Sequence, residues 1–123
     1  MRVSRDQIIR GLTEYIQSEI LPQMGDDKAV QIIMSVAVNA AMANNKLVDA
    51  AMENGIVKTM LDDDGSGTYE IDGVAQAMRR AIERYGGFPV RVPAIPLISP
   101  REITLRLDAQ DVDAMKRNIE NAM

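Results

Sequence analysis

Asp62, Asp63, Asp64, Glu70 and Asp72 place five carboxylates in the twelve positions from 62 to 73, with no basic residue among them. Neighbouring like charges repel, so a run of this kind calls for a cation, a set of backbone N–H donors or full hydration. The following stretch has the opposite sign: Arg79, Arg80, Arg84, Arg91, Arg101 and Arg106 stand against only Glu83 and Glu102 between residues 74 and 107. Arg79, Arg80 and Arg84 fall within about a turn and a half of one expected helix, which lets guanidinium groups converge on a phosphate or a carboxylate. The chemistry to weigh is therefore cation binding by the loop, anion binding by the arginines, or pairing of the two, within a subunit or between subunits.

Set in the calcium frame with Asp62 first, the oxygen donors would be Asp62, Asp64, Ser66, Thr68 and Glu70, around a turn at Gly67. Those positions resemble an EF-hand loop. The pattern departs from it at position twelve, where Gly73 replaces the bidentate glutamate, and at position eight, where Tyr69 replaces an aliphatic residue. The preceding residues 56–61 also read as a strand and not as the entering helix. The loop is read as a solvated hairpin turn with no metal and no cofactor, and a calcium module is the alternative. The arginines are read as a protein-facing set, with an anion or nucleic-acid binder as the other alternative. Aromatic residues near them are limited to Tyr85 and Phe88, no groove-reading motif accompanies them, and the net charge of −4 opposes non-specific nucleic-acid binding.

Histidine, cysteine and tryptophan are absent. That removes the commonest general base, the thiol nucleophile, disulfides and the usual ligands of zinc, copper and haem. No Ser-x-x-Lys, Gly-x-Ser-x-Gly or phosphate-cradling glycine loop is present, so no catalysis is expected. The start Met1-Arg2-Val3-Ser4 lacks an apolar leader, and a cytoplasmic location is the expectation.

The elements that position these residues follow from periodicity. Ser4 and Gln7 form a capping box ahead of Ile8, Ile9, Leu12, Ile16 and Ile20, which predicts a first helix ended or kinked by Pro22 and Gly25. A second helix is expected from Asp26 or Asp27 to about residue 45. Between Ala29 and Ala43 its only polar residues are Gln31, Ser35 and Asn39, spaced four apart. A helix apolar on nearly every side must be covered, and this run is shorter than the ~20 residues of a membrane span. Val36, Val38, Ala40 and Ala41 are accordingly read as an interaction surface of a homo-oligomer, with burial inside one subunit as the competing reading.

A short third helix over Leu47, Val48, Ala51 and Met52 is expected to stop at Asn54-Gly55. Ile56–Leu61 and Thr68–Ile71 then read as a β-hairpin. Val74, Met78, Ala81, Ile82 and Tyr85 mark a fourth helix from Asp72, closed by Gly86-Gly87. Prolines recurring through residues 88–100 predict an extended connection, and the aliphatic residues around Pro93-x-x-Pro96 make it a buried crossover. Ile103, Leu105 and Leu107 alternate as a strand, and Asp108 is expected to cap a last helix carrying Val112, Met115 and Ile119. Nine methionines, among them Met34, Met42, Met52 and Met60, read as core filler where aromatics are scarce.

The 123 residues fit one domain. The expected fold is α+β and predominantly helical, with a helical half (1–61) packed against a hairpin, helix, extended strand and helix (62–123). Size and composition fit a small bacterial accessory protein, of the kind carried by prophages and mobile elements. Its expected role is non-catalytic: binding an unknown protein partner, beginning with its own copies, with nucleic acid disfavoured and no membrane.

Overall fold

The computed structural model describes residues 1–28, 31, 46–58, 61, 65–92 and 101–122. The fold is α+β and predominantly helical, with two small antiparallel two-stranded sheets among the described residues. Strand β1 (Arg2–Ser4) leads directly into helix α1 (Arg5–Tyr15). Ser4 is extended and its Oγ accepts the Gln7 N–H at 3.1 Å, satisfying one of the free donors at the helix start. Only this half of the capping box forms, because the Gln7 side chain donates instead to the Ile119 carbonyl at 2.9 Å. Val3 and Ile8, both about 1% exposed, occupy the positions of a hydrophobic staple around the cap. Past Tyr15 the helix widens into a π-helical turn (Ile16–Ile20) and tightens into a 3-10 turn (Leu21–Met24) containing Pro22, which is how the helix ends.

Lys28 and Gln31 are helical, at the start of the expected second helix. Its remainder lies outside the described residues, and so do Val36, Val38, Ala40 and Ala41. Helix α2 (Lys46–Met52) follows, and the expected stop at Asn54-Gly55 does not occur. The chain continues through a π-helical turn (Glu53–Val57) to Lys58. A Cβ on Gly55 would stand 2.5 Å from the Val90 Cα, so this glycine permits close approach to a strand and ends no helix.

The expected hairpin of Ile56–Leu61 with Thr68–Ile71 is also corrected. Ile56 and Val57 are helical and fully buried, and strand β2 (Thr68–Glu70) pairs antiparallel with β1, placing Val3 opposite Tyr69. Strand preference largely measures fit to a packed surface, and here two β-branched side chains find that packing from a helical turn.

Helix α3 (Ile71–Tyr85) buries Val74, Ala75, Met78 and Ala81, and Gly86 closes it with φ 73°, donating its N–H to the Ile82 carbonyl at 2.8 Å. Tyr85, expected on the apolar face, is 44% exposed on the last turn. Strands β3 (Gly87–Val92) and β4 (Arg101–Arg106) then pair antiparallel, with Phe88 opposite Leu105 and Pro89 opposite Thr104. The extended reading of this region holds for β3, while Pro93 and Pro96 lie outside the described residues. Helix α4 (Gln110–Asn121) buries Val112, Met115 and Ile119. Its N-cap is Ala109, not Asp108: the Asp111 carboxylate accepts the Asp108 N–H at 2.9 Å, so the acid sits inside the first turn, where the helix dipole favours it.

Among the described residues one buried cluster draws on α1, α2, α3 and α4, with Phe88, Val90 and Leu105 from the second sheet. Where α1 crosses α4, a Cβ on Gly11 would stand 2.6 Å from the Ile119 Cα, and Asn118 donates to the Gly11 carbonyl at 2.6 Å. Gly11→Ala and Gly55→Ala should each lower stability by about 1–3 kcal/mol, read by urea denaturation, because backbone and not a side-chain tip must yield. Thr13 is 3% exposed and its Oγ1 has no partner among the described residues. Thr13→Val should therefore raise stability by about 1 kcal/mol in the same measurement.

Candidate functional site

The loop, the arginine helix and the end of β4 carry the chemistry. Asp62 and Asp64 lie outside the described residues. The other oxygen donors of the calcium frame are committed to the N-terminal strand. Thr68 Oγ1 accepts from Arg2 Nε at 2.9 Å, the Thr68 carbonyl accepts from Arg2 Nη2 at 2.8 Å, and Ser66 Oγ donates to the same carbonyl at 2.8 Å. Glu70 pairs with the Met1 amine at 3.0 Å. Positive φ at Gly65 and Gly67 shapes the turn. Among the described residues no three acidic side chains come together to hold a metal ion.

The arginines divide. Arg79 turns toward α4 and meets Asp113 at 3.5 Å, an exposed pair whose acid comes from a different element than the 62–64 run. Arg84 lies over the Tyr85 ring at 5.6 Å. Arg80 and Arg84 stand one turn apart on the exposed side of α3, while Arg79 points to its flank. Beside Arg79, Lys116 of α4 holds Asp72 at 3.0 Å, which sets the carboxyl below and the ammonium above its usual range, first through the hydrogen bond and then through charge.

Sequence reasoning did not single out the region between the end of the first helix and the start of α4. There, two adjoining hollows of about 290 and 390 Å³ share Gln23, Met24 and Arg106. Asp108 and Asp111 line the first, and Asp26 and Asp27 the second. Ile20, Met24 and Leu107 give the first hollow an apolar side. Asp111 is tied down twice, accepting the Asp108 N–H and the Tyr15 hydroxyl, the latter at 2.8 Å. Burial, that hydrogen bond and the Asp111 charge push Tyr15 up to about 12, so its hydroxyl stays a donor at neutral pH. Nothing in the local sequence marks this pair, because Tyr15 and Asp111 are 96 residues apart.

Among the described residues three side chains are displaced from their ordinary pKa values, Tyr15, Asp72 and Lys116, and all three move away from neutrality. Comparison with known protein families, curated proteins and solved structures gives no match to this chain. No helix among the described residues is long and apolar enough to cross a membrane.

The raised Tyr15 value has a definite sign. The folded state holds the phenol proton more tightly than the unfolded chain, so the stabilisation is complete below pH 10 and is lost as pH rises toward 12. Tyr15→Phe should cost about 1 kcal/mol at pH 7 and flatten the fall in stability over that alkaline window, read by denaturant unfolding at each pH.

Proposed function

We propose that this protein is a non-catalytic interaction module that self-associates through the apolar stretch from residue 29 to residue 43. The observation that carries this reading is the composition of that stretch, whose polar residues are Gln31, Ser35 and Asn39 alone. Gln31, the described member of that set, is exposed and bonds back to the Gly25 carbonyl at 2.8 Å, which is consistent with the polar positions marking one narrow outer side. Val36, Val38, Ala40 and Ala41 belong to the apolar remainder of that stretch, and small residues such as Ala40 and Ala41 favour close approach of another helix.

The non-catalytic part of the reading is supported by the residue inventory, which holds no histidine and no cysteine. The exposed turn of α3 with Arg80, Arg84 and Tyr85 has the composition of a contact surface for a carboxylate-bearing partner, since Arg and Tyr are enriched where interfaces carry their energy.

Light scattering at micromolar concentration should give more than one chain mass for the wild type. Val36→Glu and Val38→Glu should shift it toward a monomer, because a charge placed in a covered apolar contact costs several kcal/mol. A wild type that stays monomeric at high micromolar concentration would remove the self-association reading.

A further inference from the structure

Among the described residues the β3–β4 sheet has one closed edge and one open edge. At the closed edge, Pro89 has no N–H, and its carbonyl oxygen would lie 2.7 Å from a Cβ on Gly55, so that carbonyl points at the π-helical turn and away from β4. Pro89 and Thr104 are therefore a pair that exchanges no ladder hydrogen bonds. The Leu105 carbonyl points the other way: a Cβ on Gly87 would collide with it, which places that carbonyl on the β3 side. Alternation along an antiparallel ladder then turns the backbone N–H and C=O groups of Glu102, Thr104 and Arg106 outward, away from β3. Among the described residues no element pairs with that side of β4, and no backbone group bonds to it.

We propose that this open edge pairs antiparallel with β4 of a second copy, about a twofold axis at Thr104, joining the two sheets into one of four strands. The backbone selects the kind of register and the charges select which one. Outward residues exchange hydrogen bonds only with outward residues, so Glu102, Thr104 and Arg106 of one copy must face the same set in the other. Centring on Thr104 puts Glu102 opposite Arg106 on both sides and sets Thr104 against its own counterpart. A shift to a centre at residue 103 leaves Arg106 without an opposite member of the set. Glu102, Thr104 and Arg106 are all exposed and share one face by their period of two, so the two acid–base pairs flank the threonine pair on the solvent side. Arg106 is available for this role. It makes no ion pair among the described residues, although Asp26, Asp27, Asp108 and Asp111 line the same hollows.

This edge is distinct from residues 29–43 and does not depend on that contact. Sedimentation equilibrium on the full chain tests the charge pairing. Arg106→Glu or Glu102→Arg alone should raise the dissociation constant of the dimer about tenfold or more, and the double exchange should bring it back to within about threefold of wild type. A second readout belongs to this edge alone. The chain has no cysteine, and directly opposed hydrogen-bonded residues sit about 5.5 Å apart at Cα, within disulfide range. Thr104→Cys should form an intermolecular disulfide under mild oxidation while Gln76→Cys on the exposed side of α3 does not, with circular dichroism confirming that each variant is folded. Equal cross-linking of the two cysteine variants, or a double exchange no better than either single one, overturns the proposal.

Discussion

The crossing of α1 over α4 is the contact on which the rest of the structure depends. At Gly11 the two backbones approach so closely that the side chain beside them must be hydrogen, and amide groups secure the crossing on both sides. Gln7 reaches the Ile119 carbonyl, which also accepts the N–H of the C-cap residue Ala122, while Asn118 reaches back to Gly11. Farther along, Tyr15 holds Asp111, and Asp111 holds the first turn of α4. Once α4 is fixed in this way, its Asp113 and Lys116 meet Arg79 and Asp72, so the same helix also sets the position of α3.

A second close approach has the same physics and a different result. Gly55 lets a helical turn lie directly on β3, which explains both the helical path of Ile56 and Val57 and the shielding of one side of the small sheet. Most of the interior is therefore aliphatic and sulfur-containing, with Phe88 as the one large aromatic among the fully buried side chains. Met52, Met78 and Met115 fill space in that core and are fully enclosed, the role expected of a flexible thioether where rings are few.

The helices with clean periodicity were legible in the sequence: α1 with its Ser4 cap, α3 closed by Gly86, and α4 with Val112, Met115 and Ile119. Strand β4 was legible from the alternation around Leu105. What escaped has a common cause, which is that its explanation lies far away along the chain. Strand β1 is three residues long and exists because Thr68–Glu70 is there to pair with it. Ile56 and Val57 have strand-like side chains, yet the neighbouring glycine and its distant partner Val90 decide their conformation. For the site, local charge revealed the acidic loop and the arginine helix. It did not reveal that Ser66, Thr68 and Glu70 are held by the first two residues, nor that Arg79 finds its acid on α4. Arg106 drew notice only as one charge among six, because its setting is defined by the direction in which Pro89 faces.

The hydrogen bond from Gln7 to Ile119 joins groups 112 residues apart, and that from Asn118 to Gly11 joins groups 107 apart. The apolar side of the first helix is thus covered by a helix that is synthesised more than a hundred residues later. During translation Ile8, Leu12 and Ile16 remain without this cover until α4 has left the ribosome, and closing so long a loop costs chain entropy before the contact returns any stability. Docking of α1 is therefore expected to be completed only after synthesis of α4, with a rate set by the search of these two distant helices for each other, and with the exposed first helix as the segment most in need of a chaperone meanwhile.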